Sequence, residues 1–155
     1  VRGYYEISRS TTACVHFVFE EGLDDLFMTE ITGQLRQMRV STIYLDGRGL
    51  EKGISQMCRA VGSAIGAEHA DGCMEDSYVS LFDDMITLSN ELAGLVIVID
   101  WASDLFDADR STVLGFIEAF LAQINHWIEK GKPCHLCFQL SPNEDVRKYF
   151  LDNFS

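Results

Sequence analysis

The stretch Gly94-Leu-Val-Ile-Val-Ile-Asp100 is an unbroken apolar run closed by one acid. A strand that shows only one face to the core alternates apolar and polar residues. A continuous run is the mark of a strand buried on both faces, and such strands sit centrally in parallel sheets covered by helices. Even extended back to Leu92, the run is far too short to cross a bilayer.

Outward from this run, strands and helices alternate. Upstream, "EDSYVSLFDDMITL" (75–88) repeats its apolar residues at helical spacing. Tyr78, Leu81, Phe82, Met85 and Leu88 form one stripe, opposite Asp76, Ser80, Asp83 and Thr87. Asp76 or Ser77 suits the cap, and acids in the first turn favour the helix dipole. Before it, "STIYLDG" (41–47) reads as a strand stopped by Gly47 and Gly49, and Ile54 to about Gly66 as a helix. "TACVHFVF" (12–19) is rich in β-branched and aromatic residues and reads as another strand, with a helix from Leu26 to Arg39 after it. "YYEI" near the start is an edge-strand candidate.

Downstream, Val113, Ile117, Phe120, Leu121, Ile124 and Ile128 predict one long helix over 111–130, ended by Gly131 and Pro133. "CHLCFQL" (134–140) is the next strand. A last helix starts with Ser141 as cap, Pro142 in its first turn and Glu144 completing a capping box. The expected fold is α/β: a three-layer sandwich with a mainly parallel sheet of three or four strands flanked by helices.

At 155 residues the chain fits one domain, 1–155, and can bury a core without disulfides or metal. It opens on Val1 with no secretory signal pattern, and the missing initiator methionine suggests a segment of a longer chain. Five cysteines (Cys14, Cys58, Cys73, Cys134, Cys137) at irregular spacing argue for reduced thiols and a cytoplasmic setting. The net charge of −12 makes nucleic acid an improbable direct ligand. The charge is also lopsided. Between Arg59 and Arg110 there is no Lys or Arg, while 11 of the 24 acids fall there. A one-sided surface of this kind favours a basic partner.

Chemical motifs are sparse. "CHLC" (134–137) lacks a second ligand pair for zinc and lies in a strand rather than at a helix start, so it reads as two buried thiols. The histidines His16, His69, His126 and His135 are dispersed, with His69 in the acidic loop. No arrangement supports nucleophilic hydrolysis, and no glycine-rich loop supports phosphate cradling. Asp100, at the end of its strand, stands where open α/β sheets place ligands. With Asp104, Asp107 or the Asp24/Asp25 pair it could hold a hard cation, as receiver domains and related phosphotransfer folds do. Against this, Asp100 and Asp107 can simply cap the turns that follow.

From Ser41 to Leu140 the ordered set of pieces resembles the barstar family of intracellular ribonuclease inhibitors. The carriers are "STIYLDGRGLEKGISQMCRAVGSAIG", "SYVSLFDDMI", "GLVIVIDW" and "EKGKPCHLCFQL". The resemblance implies a barstar-like core over 41–140, an added strand-helix segment over 1–40 and an added C-terminal helix over 141–155. It implies a non-catalytic immunity protein with no cofactor and no metal, binding a basic nuclease toxin one-to-one as a monomer. Asp83 becomes the phosphate-mimicking acid and Phe82 the neighbouring aromatic, with a rim from Asp71 through Glu75 to Asp76. Ser80, Asp84 and Thr87 complete the expected partner-binding set. The family's Gly-x-Asn before this helix is replaced by "GCMEDS", which turns the expectation from barnase itself to another basic nuclease. "VIDWASDLFDADRSTVL" and "LSPNEDVRKYF" loosely resemble STAS regulatory domains, with Ser111 near the phosphosite. That resemblance and a receiver-like domain centred on Asp100 are the alternatives.

Overall fold

The computed structural model describes residues 14–19, 25–49, 54–64 and 78–141, with 145, 148, 149 and 152 of the C-terminal segment. Strand β1 (Val15–Phe19) leads to helix α1 (Asp25–Gln37), β2 (Ser41–Asp46) and a 3-10 turn (Gly47–Gly49). Helices α2 (Ile54–Ala64) and α3 (Tyr78–Glu91) precede β3 (Leu95–Asp100). Then come α4 (Ser103–Ala108), α5 (Arg110–Gln123), α6 (Asn125–Ile128) and β4 (Cys134–Leu140). The proposed "YYEI" strand, the caps at Asp76 and Ser77 and the Pro142–Glu144 capping box lie outside the described residues.

The four strands form one all-parallel sheet in the order β1-β4-β3-β2. This is the α/β architecture expected, and β3 is central because every one of its residues can be buried on either face. Strand β4 is equally buried, whereas β1 is half-buried along its length and β2 exposes Tyr44 and Asp46. The segment set apart by the barstar resemblance as an N-terminal addition supplies β1, paired with β4 from Val15↔Leu136 to Phe19↔Leu140.

The order dictates which face each helix covers. The chain crosses the whole sheet from β1 to β2, then steps back through β3 to β4. Right-handed crossovers in opposite directions place α1 on one face and the helices from α2 to α6 on the other. The second set packs on itself, α3 against α5 and α6, and α2 against both α3 and α5. Its core joins Leu95, Ile97, Ile99, Leu136 and Phe138 of the sheet to Met85, Phe116, Phe120 and Trp127. Each such side chain contributes roughly 1.5–3 kcal/mol by leaving water.

The single helix expected over 111–130 is divided at Ile124. The N–H of Ile124 bonds to the carbonyl of Leu121 at 3.4 Å and that of Trp127 to Ile124 at 3.0 Å, a three-residue spacing that tightens the turn. Its end follows the sequence. Gly131, at φ +65°, donates to Ile128, and Lys132 donates to Trp127 at 3.0 Å, the paired bonds of a Schellman cap. The terminus of α1 has the same bonds, Arg39 to Arg36 and Val40 to Leu35. There an arginine, at φ +60°, takes the position that usually belongs to glycine.

Candidate functional site at the carboxyl edge of the sheet

Asp100 closes β3 and is 2% exposed. Its neighbours come from three other segments of the chain. On β2, which runs in register with β3 as Tyr44↔Val98 and Asp46↔Asp100, the Tyr44 hydroxyl donates to Asp100 Oδ2. Asp100 Oδ1 accepts the N–H of Trp101 at 3.1 Å. That N–H is shared with Oε1 of Gln139, at 2.7 Å. Gln139 is fully buried on β4, and its backbone carbonyl accepts from Ala102 at 2.8 Å.

Trp101 sits at φ +52°, in a region where a bulky side chain is strained. The bonds from Asp100 and Gln139 to its N–H hold it there. Gly47 packs beneath, and a Cβ at Gly47 would lie 2.7 Å from the backbone oxygens of both Asp100 and Trp101. Outside, the Arg48 guanidinium stands 5.0 Å from the centroid of the Trp101 ring. It also grips Asp46 through Nε to Oδ1 at 2.9 Å and Nη2 to Oδ2 at 2.5 Å. The Arg48 hydrogen bonds hold the Asp46 carboxyl below the usual carboxylate range.

Burial, then the hydrogen bond and negative charge of Asp100, push the Tyr44 phenol well above its ordinary value. A phenol whose folded value is raised stabilises the fold below its unfolded value, near pH 10. That contribution is lost as pH rises through the folded value. Tyrosinate absorbance is expected to show one phenol ionising late in the wild type and no such phenol in Tyr44→Phe. A curve unchanged by the substitution would contradict the bond to Asp100.

The expected partner-binding residues are placed differently. Asp71, Glu75 and Asp76 lie outside the described residues, as does the side chain of Ser80. Phe82 is a correction: it is 6% exposed, its ring centroid 5.6 Å from that of Phe116, inside the core rather than on a partner surface. Asp83 and Thr87 do face solvent on α3, with the Thr87 hydroxyl donating to the Asp83 carbonyl at 3.1 Å. Asp84 is half-buried, and its Oδ2 has no hydrogen-bond partner among the described residues. Of the described ones, Phe82, Asp83, Asp84 and Thr87 lie outside the cluster around Asp100.

Other motifs resolve simply. Cys134 and Cys137 are buried. Burial raises both thiols, that of Cys137 to about 12. Asp100 does not cap α4, whose N-cap is Ala102 with no side-chain bond. Ser111 donates to Asp109 at 2.8 Å. Among the described residues no group of three His, Cys, Asp or Glu side chains could hold a metal ion, and no helix is long and apolar enough to cross a membrane. Spacing in the sequence singled out Asp100. Tyr44 and Gln139 gave no signal, because each reads as one more residue of a strand.

No family model matches the sequence, and no curated protein matches it. Among solved structures, the chain is similar to the ORC2 protein of Aeropyrum pernix in its ADP form, with a TM-score of 0.67 and 11% identity over 99% of this chain and 42% of that one. It is also similar to the ORC2 protein of the same organism in ADPNP-ADP complexes, with a TM-score of 0.64 and 9% identity over 92% of this chain and 38% of that one. The chain thus spans about two fifths of the proteins it matches, and the likeness is one of fold. It overturns the barstar resemblance and the toxin-inhibitor function drawn from it, together with the receiver-like and STAS-like alternatives. The barstar resemblance rests on separate pieces over 41–140, whereas the ORC2 likeness runs through nearly the whole chain, β1 included.

Proposed function

We propose that the chain is a non-hydrolysing domain on the fold of nucleotide-bound ORC2, acting through contacts with other macromolecules rather than through chemistry of its own. The observation that carries this reading is the first crossover. P-loop enzymes place a glycine-rich turn ending in Lys and Ser/Thr between the first strand and helix, where it cradles phosphates. Here "FEEGLDD" (19–25) occupies that position, with four acids and no Lys. Carboxylates repel a triphosphate where a lysine would draw it in.

Asp100 supports the same reading. P-loop enzymes use an acid of this kind to hold Mg²⁺, but Asp100 already accepts bonds from Tyr44 and Trp101. The ORC2 structures contain ADP and ADPNP; this chain shares their fold, and the sequence after its first strand is acidic and lacks Lys. Its charge of −12 disfavours direct contact with nucleic acid and leaves protein surfaces as the natural partners. The buried thiols of Cys134 and Cys137 suit the cytoplasm. Incubation with Mg-ATP is expected to release phosphate no faster than buffer alone. Turnover that scales with protein concentration and survives further purification would overturn the reading.

A further inference from the structure

At the opposite end of the sheet, where α1 ends and β2 begins, a cleft of about 350 Å³ is lined by Thr32, Arg36, Arg39, Val40, Ser41 and Thr42. Two arginines and three hydroxyl-bearing residues therefore line one cleft in a chain that has only 12 basic residues against 24 acids. Among the described residues no carboxylate pairs with either arginine. The Thr42 hydroxyl, buried behind this lining, has no hydrogen-bond partner among the described residues. A buried donor left open in this way costs stability unless something else satisfies it. Arg39 adds a backbone cost, holding φ +60° where glycine would fit the cap without strain.

The geometry points to this cleft as a binding site for a phosphate monoester. Arginine presents a planar fork of donors that meets phosphate oxygens two at a time, and hydroxyls donate to the remaining oxygen. The two full positive charges outweigh the roughly half negative charge at the carboxyl end of α1. The volume is in the range of small-molecule sites, and buried Val40 offers an apolar wall to the esterified group. The site stands apart from the Asp100 edge, and it does not depend on whether that edge engages nucleotide.

Calorimetric titration of the whole chain tests this, with inorganic phosphate, phenyl phosphate and benzoate as probes. Both phosphates are expected to saturate, phenyl phosphate more tightly, while benzoate does not. Arg36→Gln and Arg39→Gly are each expected to weaken binding about tenfold or more. Arg39→Gly is also expected to match or exceed the wild type in unfolding midpoint, because the αL cap suits glycine. Stability kept while affinity is lost separates a binding role from a structural one. If Arg39→Gly fails to fold, the exposed Arg36→Gln alone decides. Absence of saturation by either phosphate up to about 10 mM, benzoate binding as tight as phenyl phosphate, or affinity unchanged in Arg36→Gln would each overturn the assignment.

Discussion

Phe82→Ala is expected to destabilise the fold by roughly 3–5 kcal/mol, the cost of emptying a phenylalanine-sized volume in a packed core. Phe82 lies on α3 against Phe116 of α5, where the helical layer meets itself over the sheet. The neighbouring Asp83→Ala is expected to stay within about 0.5 kcal/mol, as exposed substitutions do. Urea unfolding of the two variants measures the difference. Equal midpoints for Phe82→Ala and the wild type would return Phe82 to the surface, where the barstar resemblance had placed it.

Gly47→Ala is the second large effect, expected to cost about 1–3 kcal/mol or more. The added methyl would meet the carbonyl oxygens of Asp100 and Trp101 at 2.7 Å each. Both are backbone atoms at the end of a central strand, so neither can swing aside as a flexible side chain would. The 3-10 turn would have to lift, carrying Arg48 away from the Trp101 ring. The expected signature is a lower unfolding midpoint together with a shift in tryptophan fluorescence. A variant with wild-type stability and spectrum would mean that the turn does not press on the carboxyl edge.

How much of this was legible depends on the range of each signal. The central strand β3 is plain in the sequence because burial on both faces leaves it without polar interruption before Asp100, whereas β4, equally buried, carries His135 and Gln139. Apolar spacing continues across Ile124 and so predicts one long helix over 111–130, while the tightening there is a backbone event that periodicity does not register. Helix α4 leaves no mark on the pattern because six residues with two buried members, Leu105 and Phe106, cannot display a helical period. At Phe82, periodicity put the residue in the buried stripe, and only the family resemblance moved it to an interface. Asp100 stood out by ending an apolar run. Its partners did not, since Tyr44 lies 56 residues away and Trp101 bonds to a glutamine 38 residues on. Contacts of that range exist only once the strand order is known.

The central claim is that this fold has given up nucleotide chemistry at the carboxyl edge of its sheet. Calorimetric titration of the purified chain with Mg-ATP and Mg-ADP tests it most directly. No saturable heat up to about 1 mM is the expected result, whereas a one-to-one isotherm with a Kd of about 1 μM that persists in Arg36→Gln would contradict it, since some 8 kcal/mol of binding energy at that edge is opposed by the acids of "FEEGLDD" and by a carboxylate already bonded to Tyr44 and Trp101.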